Sequence, residues 1–282
     1  MYTLIISIAC SVAVSVLLKI ARRQNIAVDQ AIAVNYVVAA TLCAVLLQPH
    51  PSSLMSPSTP WWVLIALGVL LPTIFLAMAA AVRHAGIVLS DAAQRLSLFI
   101  PLIASFVLFG EALSGSKLAG IAIALTALVC LLLRPRTQDG SGDTVKAVLM
   151  LLSVWVGYGT IDILFKQMAK SGAAFSSSLL VSFVLAGILI FAYLIARRSV
   201  WTRRNVLAGV VLGLLNFSNI YFYIRAHQVF PQNPTLVFSA MNIGVISLGT
   251  LVGAGFFKEK LSWVNALGIV LAVTAIIVLI PR

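Results

Sequence analysis

Hydrophobic residues run along this chain in long blocks rather than in the alternation of a strand or the one-sided stripe of a soluble helix. Divided into windows of about 20 apolar residues, the length that crosses a hydrocarbon core of about 30 Å, the chain yields ten predicted helices. They fall at about 2–20, 28–47, 61–82, 87–109, 115–133, 146–168, 174–196, 205–224, 235–257 and 262–280. Ten such segments use most of the 282 residues, so no soluble domain is expected and the function belongs in the bilayer. With 61% hydrophobic and 9% charged residues, the composition agrees, since soluble domains carry about a quarter charged residues.

Charge changes the picture only at the ends of the windows. The net charge of +12 would suggest nucleic acid in a soluble protein, but the basic residues cluster beside the membrane surface, so no nucleic-acid partner is expected. Arg22, Arg23, Arg83, Arg134, Arg136, Lys146, Arg197, Arg198, Arg203, Arg204, Lys258 and Lys260 share one set of alternate loops. Lys117, Lys170, Arg225 and Arg282 mark the other. The positive-inside rule makes the richer side cytoplasmic and both termini external. The opening MYTLIISIAC lacks the basic stretch of a signal peptide and reads as a retained first helix. Trp61, Trp62 and Trp263 at helix starts, and Trp201 in a basic loop, suit an interfacial aromatic belt. Cys10, Cys43 and Cys130 lie inside windows and read as small apolar fillers rather than a disulfide framework or metal cluster.

The chain also repeats itself. FGEALSGSKLAGIAIALTALVCLLLR (109–134) aligns without a gap to FKEKLSWVNALGIVLAVTAIIVLIPR (257–282), matching Glu111 to Glu259, Leu113 to Leu261, Gly120 to Gly268 and Thr126 to Thr274. SVLLKIARR (15–23) echoes DILFKQMAK (162–170), setting Lys19 opposite Lys166. The repeat is half the chain: residues 1–136, a linker at 137–145, then 146–282. Five helices is an odd number, so the second copy must enter the membrane from the opposite face. Inverted repeats of this kind characterise secondary transporters, whose site lies near the midplane between the repeats.

In the FGE element at Phe109, Gly110 and Glu111, its copy at Phe257, Lys258 and Glu259, the glycine-rich fifth and tenth helices and the lysines ending helices 1 and 6, the chain resembles the ten-helix drug/metabolite transporter (DMT) superfamily with two EamA-type repeats. The resemblance covers essentially the full length. It implies an all-helical polytopic protein of the inner (plasma) membrane that moves amino acids, other metabolites, sugars, nucleotide conjugates, cofactors or drugs by proton coupling or exchange, without ATP. Lys258 departs from the glycine of the family's second element. The external termini also depart from the family habit of cytoplasmic ones, which leaves export and import both open.

Polar groups inside the windows are the candidate site. Arg95 lies eight residues past Ile87, about 12 Å into its helix, where a charge costs roughly 2.5 to 3.5 kcal/mol unless it faces the interior or a wet cavity. Asp91 and Gln94 share its face. The group reads either as a self-neutralising packing pair or as a cavity-lining site. Trp155, Tyr158, Gly159, Asp162 and Lys166 form a second stripe at spacings of three and four. Asp162 and Asp91 are candidate proton carriers, while Lys166 and Lys19 read as anchors that reach for the interface. Asn216, Asn219 and Tyr223 on the eighth helix, with Ser239 and Asn242 on the ninth, are either interhelical hydrogen bonds or substrate contacts. Gly209 and Gly213, and likewise Gly249 and Gly253, have the small-xxx-small spacing of close packing within one chain, while Pro72, Pro101, Pro231 and Pro234 serve helix entry or conformational change. Glu111 and Glu259 read as helix caps or loop ion pairs.

No GxxxxGK[ST] loop, HExxH or Cys-His cluster occurs, and His50, His84 and His227 fall outside the windows. No enzyme, cofactor or metal is therefore expected. The expectation is a secondary transporter of a small polar metabolite, first an amino acid or similar zwitterion, working as a monomer or, less simply, a homodimer. A mixed-sign cavity of Asp91, Arg95 and Asp162 would meet an amino group and a carboxylate. A translocator of an amphiphile or lipid-linked metabolite, a cation or drug exporter of the same fold, and a non-transporting scaffold are the alternatives.

Overall fold

The order in which apolar blocks follow one another fixes a chain of helices. The computed structural model describes residues 1–24, 26–50, 52, 54, 59–132, 144–170, 175–257 and 262–280. Ten helices lie among them: α1 (Tyr2–Arg23), α2 (Val28–Leu47), α3 (Trp61–Leu96), α4 (Phe99–Val107), α5 (Gly115–Leu132), α6 (Thr144–Ala169), α7 (Phe175–Ala196), α8 (Arg203–Val229), α9 (Pro234–Phe257) and α10 (Trp263–Leu279). Among the described residues, six segments are long and apolar enough to cross a membrane: α2, Trp61–Val82 of α3, Val145–Ala169 of α6, α7, α8 and Pro234–Phe256 of α9. The chain is a helical membrane protein. Its outer faces carry exposed aliphatic residues such as Ile5, Val129, Val270 and Ile277, as a surface against lipid requires. Trp61, Trp62 and Trp263 are exposed at helix starts, as expected of belt residues.

One boundary falls elsewhere than predicted. The expected loop between 82 and 87 is helical, because a lone Gly86 costs a helix only about 1 kcal/mol. The interruption comes at Ser97 and Leu98, and Pro101 explains it. A proline has no N–H for the carbonyl four residues back, which here is Ser97. That carbonyl accepts from the Ile100 N–H instead, at 3.0 Å. The Leu96 carbonyl thereby loses its helical donor and accepts the Trp155 indole N–H of α6, also at 3.0 Å. Arg95 therefore sits in the last turn of α3, beside a break, rather than midway along a fourth helix.

Packing is mostly between helices distant in sequence. α3 lies against α6 and α7, α2 against α7 and α8, α1 against α8 and α9, α4 against α6 and α9, and α5 against α10. Two close approaches depend on glycine. A Cβ at Gly209 would stand 2.5 Å from Val34 Cβ, and one at Gly213 would stand 2.6 Å from Val38 Cβ, so α8 presses directly on α2 as the spacing suggested. Gly249 has open space beside it, while Gly253 is buried. An aromatic seam of Tyr36, Phe183 and Phe217, with ring centroids 6.5 and 6.3 Å apart, joins α2, α7 and α8. Among the described residues no disulfide forms; Cys43 is buried, and Cys10 and Cys130 are half-buried.

Candidate functional site

The polar stripe of α6 runs from the α3–α4 break to an open cleft. From Trp155 to Lys166 it spans about 16 Å at 1.5 Å per residue. At the end beside the break, Trp155 is tied to the Leu96 carbonyl, and Gly159 lets α4 approach so closely that a Cβ there would stand 2.6 Å from Ile100 Cβ. Two turns on, the Tyr223 hydroxyl of α8 donates to Asp162 Oδ1 at 2.9 Å. Asn242 of α9, whose Nδ2 donates to the Phe238 carbonyl, lies beside the same carboxylate. Three helices thus converge on one acid within a membrane-spanning segment. Burying a carboxylate there is costly unless hydrogen bonds or a wet cavity compensate it, which is why such groups mark pathways.

One turn further, about 6 Å along α6 and α8, lies the next layer. His227 packs edge-on between Tyr223 and Phe238, with ring centroids 5.0 and 4.7 Å away. Lys166 is only 1% exposed and donates to the Pro231 carbonyl at 2.8 Å. That burial corrects the expectation of an anchor reaching for the interface. These two residues form the inner wall of a cleft of about 570 Å³, bounded also by Phe109, Lys170, Arg225 and Gln232. The volume is that of a small-molecule site.

The FGE element shapes one edge of this cleft. Gly110 has φ of +65°, the left-handed region that L side chains avoid, and it reverses the chain after α4. Phe109 is thereby placed 6.4 Å from the Phe238 ring, with the Lys166 and Lys170 ammonium groups 5.9 and 4.8 Å from its own centroid. Glu111 reaches the start of α9, where its Oε2 accepts from the Thr235 N–H at 2.9 Å and the Thr235 hydroxyl at 2.6 Å. Its Oε1 pairs with Lys117 at 3.0 Å. Glu111 is both cap and ion pair, as expected. Glu259, its counterpart, lies outside the described residues.

A chain of known crystal structure is similar at a TM-score of 0.71, with 19% identity over 98% of this chain and 96% of that one. That likeness shows the fold alone. An uncharacterized protein of Haemophilus influenzae is 54% identical over 283 residues, covering 98% of this chain and 96% of that protein. The chain belongs to the family of that protein. No protein-family model matches the sequence.

Not every predicted site residue joins the Asp162 group. Asn216 donates to Asn35 Oδ1 of α2 at 3.1 Å, and Asn219 Oδ1 accepts from the Ser7 hydroxyl of α1 at 2.9 Å, so both make interhelical bonds. Ser239 is wholly buried on α9. Tyr158 is half-buried on α6 and packs against the hydrophobic core. Gln94 and Arg95 are half-buried at the α3 terminus, and the Gln94 carbonyl accepts from Ser97 Oγ at 2.6 Å. The side chains of Asp91 and Lys19 lie outside the described residues. His227 and Arg225 were not predicted, because the eighth window was closed at 224 whereas α8 continues to Val229. The residues after 224, RAHQV, hold no proline or glycine, and that absence was the available signal.

Proposed function

We propose that this protein is a secondary transporter of a small polar metabolite, first an amino acid or similar zwitterion, in the inner (plasma) membrane. The reading takes all ten helices as spans, the four shorter ones included, and divides them into inverted repeats at 1–136 and 146–282, as in EamA-type members of the DMT superfamily. Helix packing supports the repeat. Adding five to each helix number, cyclically, turns the α1–α8 pair into α6–α3, α2–α8 into α7–α3 and α1–α9 into α6–α4, each of which is also packed. The pairs α2–α7, α4–α9 and α5–α10 map onto themselves.

The observation that carries the reading is the Tyr223 hydroxyl on Asp162, one turn beneath an open cleft. A protonatable carboxylate held and flanked by residues of two other helices can bind an amino group or a proton and release it when those helices part. Alternating access would expose the group first through the cleft and then through the α3–α4 side. Asp162→Asn should abolish uptake into proteoliposomes while leaving the melting temperature in detergent unchanged. Uptake equal to wild type would sink the assignment. A translocator of an amphiphile is the second reading, favoured by an apolar groove of about 270 Å³ lined by Leu46, Leu47, Phe217, Tyr221 and Phe222.

A further inference from the structure

The cleft above Asp162 is cationic, and its charges are not spent on carboxylates. Lys166 donates to a backbone carbonyl, Arg225 donates through Nη1 to Gln228 Oε1 at 2.8 Å, and Lys170 sits over the Phe109 ring. Among the described residues, none of the three forms an ion pair. Glu111, the acid that acts electrostatically on Lys166, is held by Lys117 and by both donors of Thr235. The lysines therefore keep most of their three N–H donors, and the arginine most of its five, for something else.

His227 is the second observation. It is 1% exposed, and neither ring nitrogen has a hydrogen-bond partner. A buried ring that leaves both nitrogens unpartnered is an exception among native polar groups. This ring lines the cleft in the same layer as Lys166.

We infer that the cleft binds the carboxylate end of an organic anion or zwitterion, with Lys166, Lys170 and Arg225 supplying charge and the His227 ring backing the site. The inference rests on the transporter reading and narrows its substrate class. Carboxylate-bearing solutes enter by their negative end, and simple organic cations are excluded. Charge-assisted bonds of this type are short and roughly twice as strong as neutral ones, so charge removal should be legible in affinity.

The test is thermal unfolding of the full-length protein in detergent against succinate, inorganic phosphate, choline and phosphatidylglycerol micelles. Succinate should raise the melting temperature saturably, phosphate should act less or equally, and choline should have no effect. Lys170→Gln/Arg225→Gln, which alters two exposed side chains, should weaken succinate roughly tenfold or more while leaving the unliganded melting temperature unchanged. Lys170→Arg/Arg225→Lys should restore it. No stabilisation by succinate, equal stabilisation of the double variant, or stabilisation by phosphatidylglycerol alone would overturn the inference. Uptake of a neutral or cationic solute that survives Lys170→Gln/Arg225→Gln would overturn it and leave the transporter reading standing. Saturable succinate binding without uptake of any solute would do the reverse.

Discussion

Replacing Glu111 by alanine should destabilise the protein by about 3 kcal/mol, although the residue lies outside the Asp162 group. Its carboxylate holds the start of α9. Pro234 is the first residue of that helix and has no N–H, so Thr235 presents the first donor that needs a partner. Glu111 accepts both the N–H and the hydroxyl of Thr235 while only 7% exposed. Losing a helix cap costs about 0.5 to 2 kcal/mol, and a hydrogen bond to a charged group contributes about 1.5 to 3 kcal/mol. Overlap between these two contributions sets the estimate near 3 rather than at their sum. Lys117 is 21% exposed but the Glu111 side chain only 1%, so Lys117→Ala leaves the buried Oε1 unpaired and should cost about 1 to 3 kcal/mol. Glu111→Gln keeps an acceptor and should fall between. Thr235→Val combined with Glu111→Ala should cost less than the two singly, since both delete one interaction. Denaturant unfolding in mild detergent measures all five variants. Glu111→Ala within about 0.5 kcal/mol of wild type would refute the capping account.

Further outcomes follow from other contacts. Gly110→Ala should cost about 1 to 2 kcal/mol from its left-handed backbone alone, since nothing lies within 4 Å of the added Cβ, and Gly110→Asn should cost less; thermal melts will separate them. Gly213→Ala should cost about 1 to 3 kcal/mol by forcing α8 from Val38 and the Asn35 carbonyl, whereas Gly249→Ala, facing open space, should be neutral or stabilising in the same assay. Trp155→Phe leaves the Leu96 carbonyl without its indole donor and should cost about 1 to 3 kcal/mol, read by unfolding. Tyr223→Phe should slow transport without abolishing it, because Asn242 still lies beside Asp162; complete loss would show that the hydroxyl itself contacts the solute.

Where the sequence was legible, a one-dimensional signal carried the physics. Apolar runs report helices because a bilayer admits few alternatives. The spacing of Gly209 and Gly213 reported the α2–α8 contact because helical neighbours recur every four residues. Asp162, Tyr223 and Asn242 were each picked out as polar groups in apolar windows, and the fold brings them together. Periodicity gives a face but not what the face meets. Asn216 and Asn219 therefore looked equivalent to Tyr223, yet they turn toward α2 and α1. The interruption at Ser97 was hidden because Pro101 acts four residues upstream of itself, on a carbonyl rather than at its own position. Lys166 looked like an anchor because its place near a helix end is the same whether it reaches out to the interface or back to the Pro231 carbonyl.

We propose that Asp162 is the coupling and binding acid of a transporter. The most direct test of that role reconstitutes wild type and Asp162→Asn at equal density in proteoliposomes and measures uptake of a radiolabelled amino-acid panel under an imposed proton gradient. Saturable uptake of at least one zwitterion by the wild type and none by Asp162→Asn is expected, with unchanged melting temperatures. No uptake of any panel member, or equal uptake by the two proteins, would contradict it.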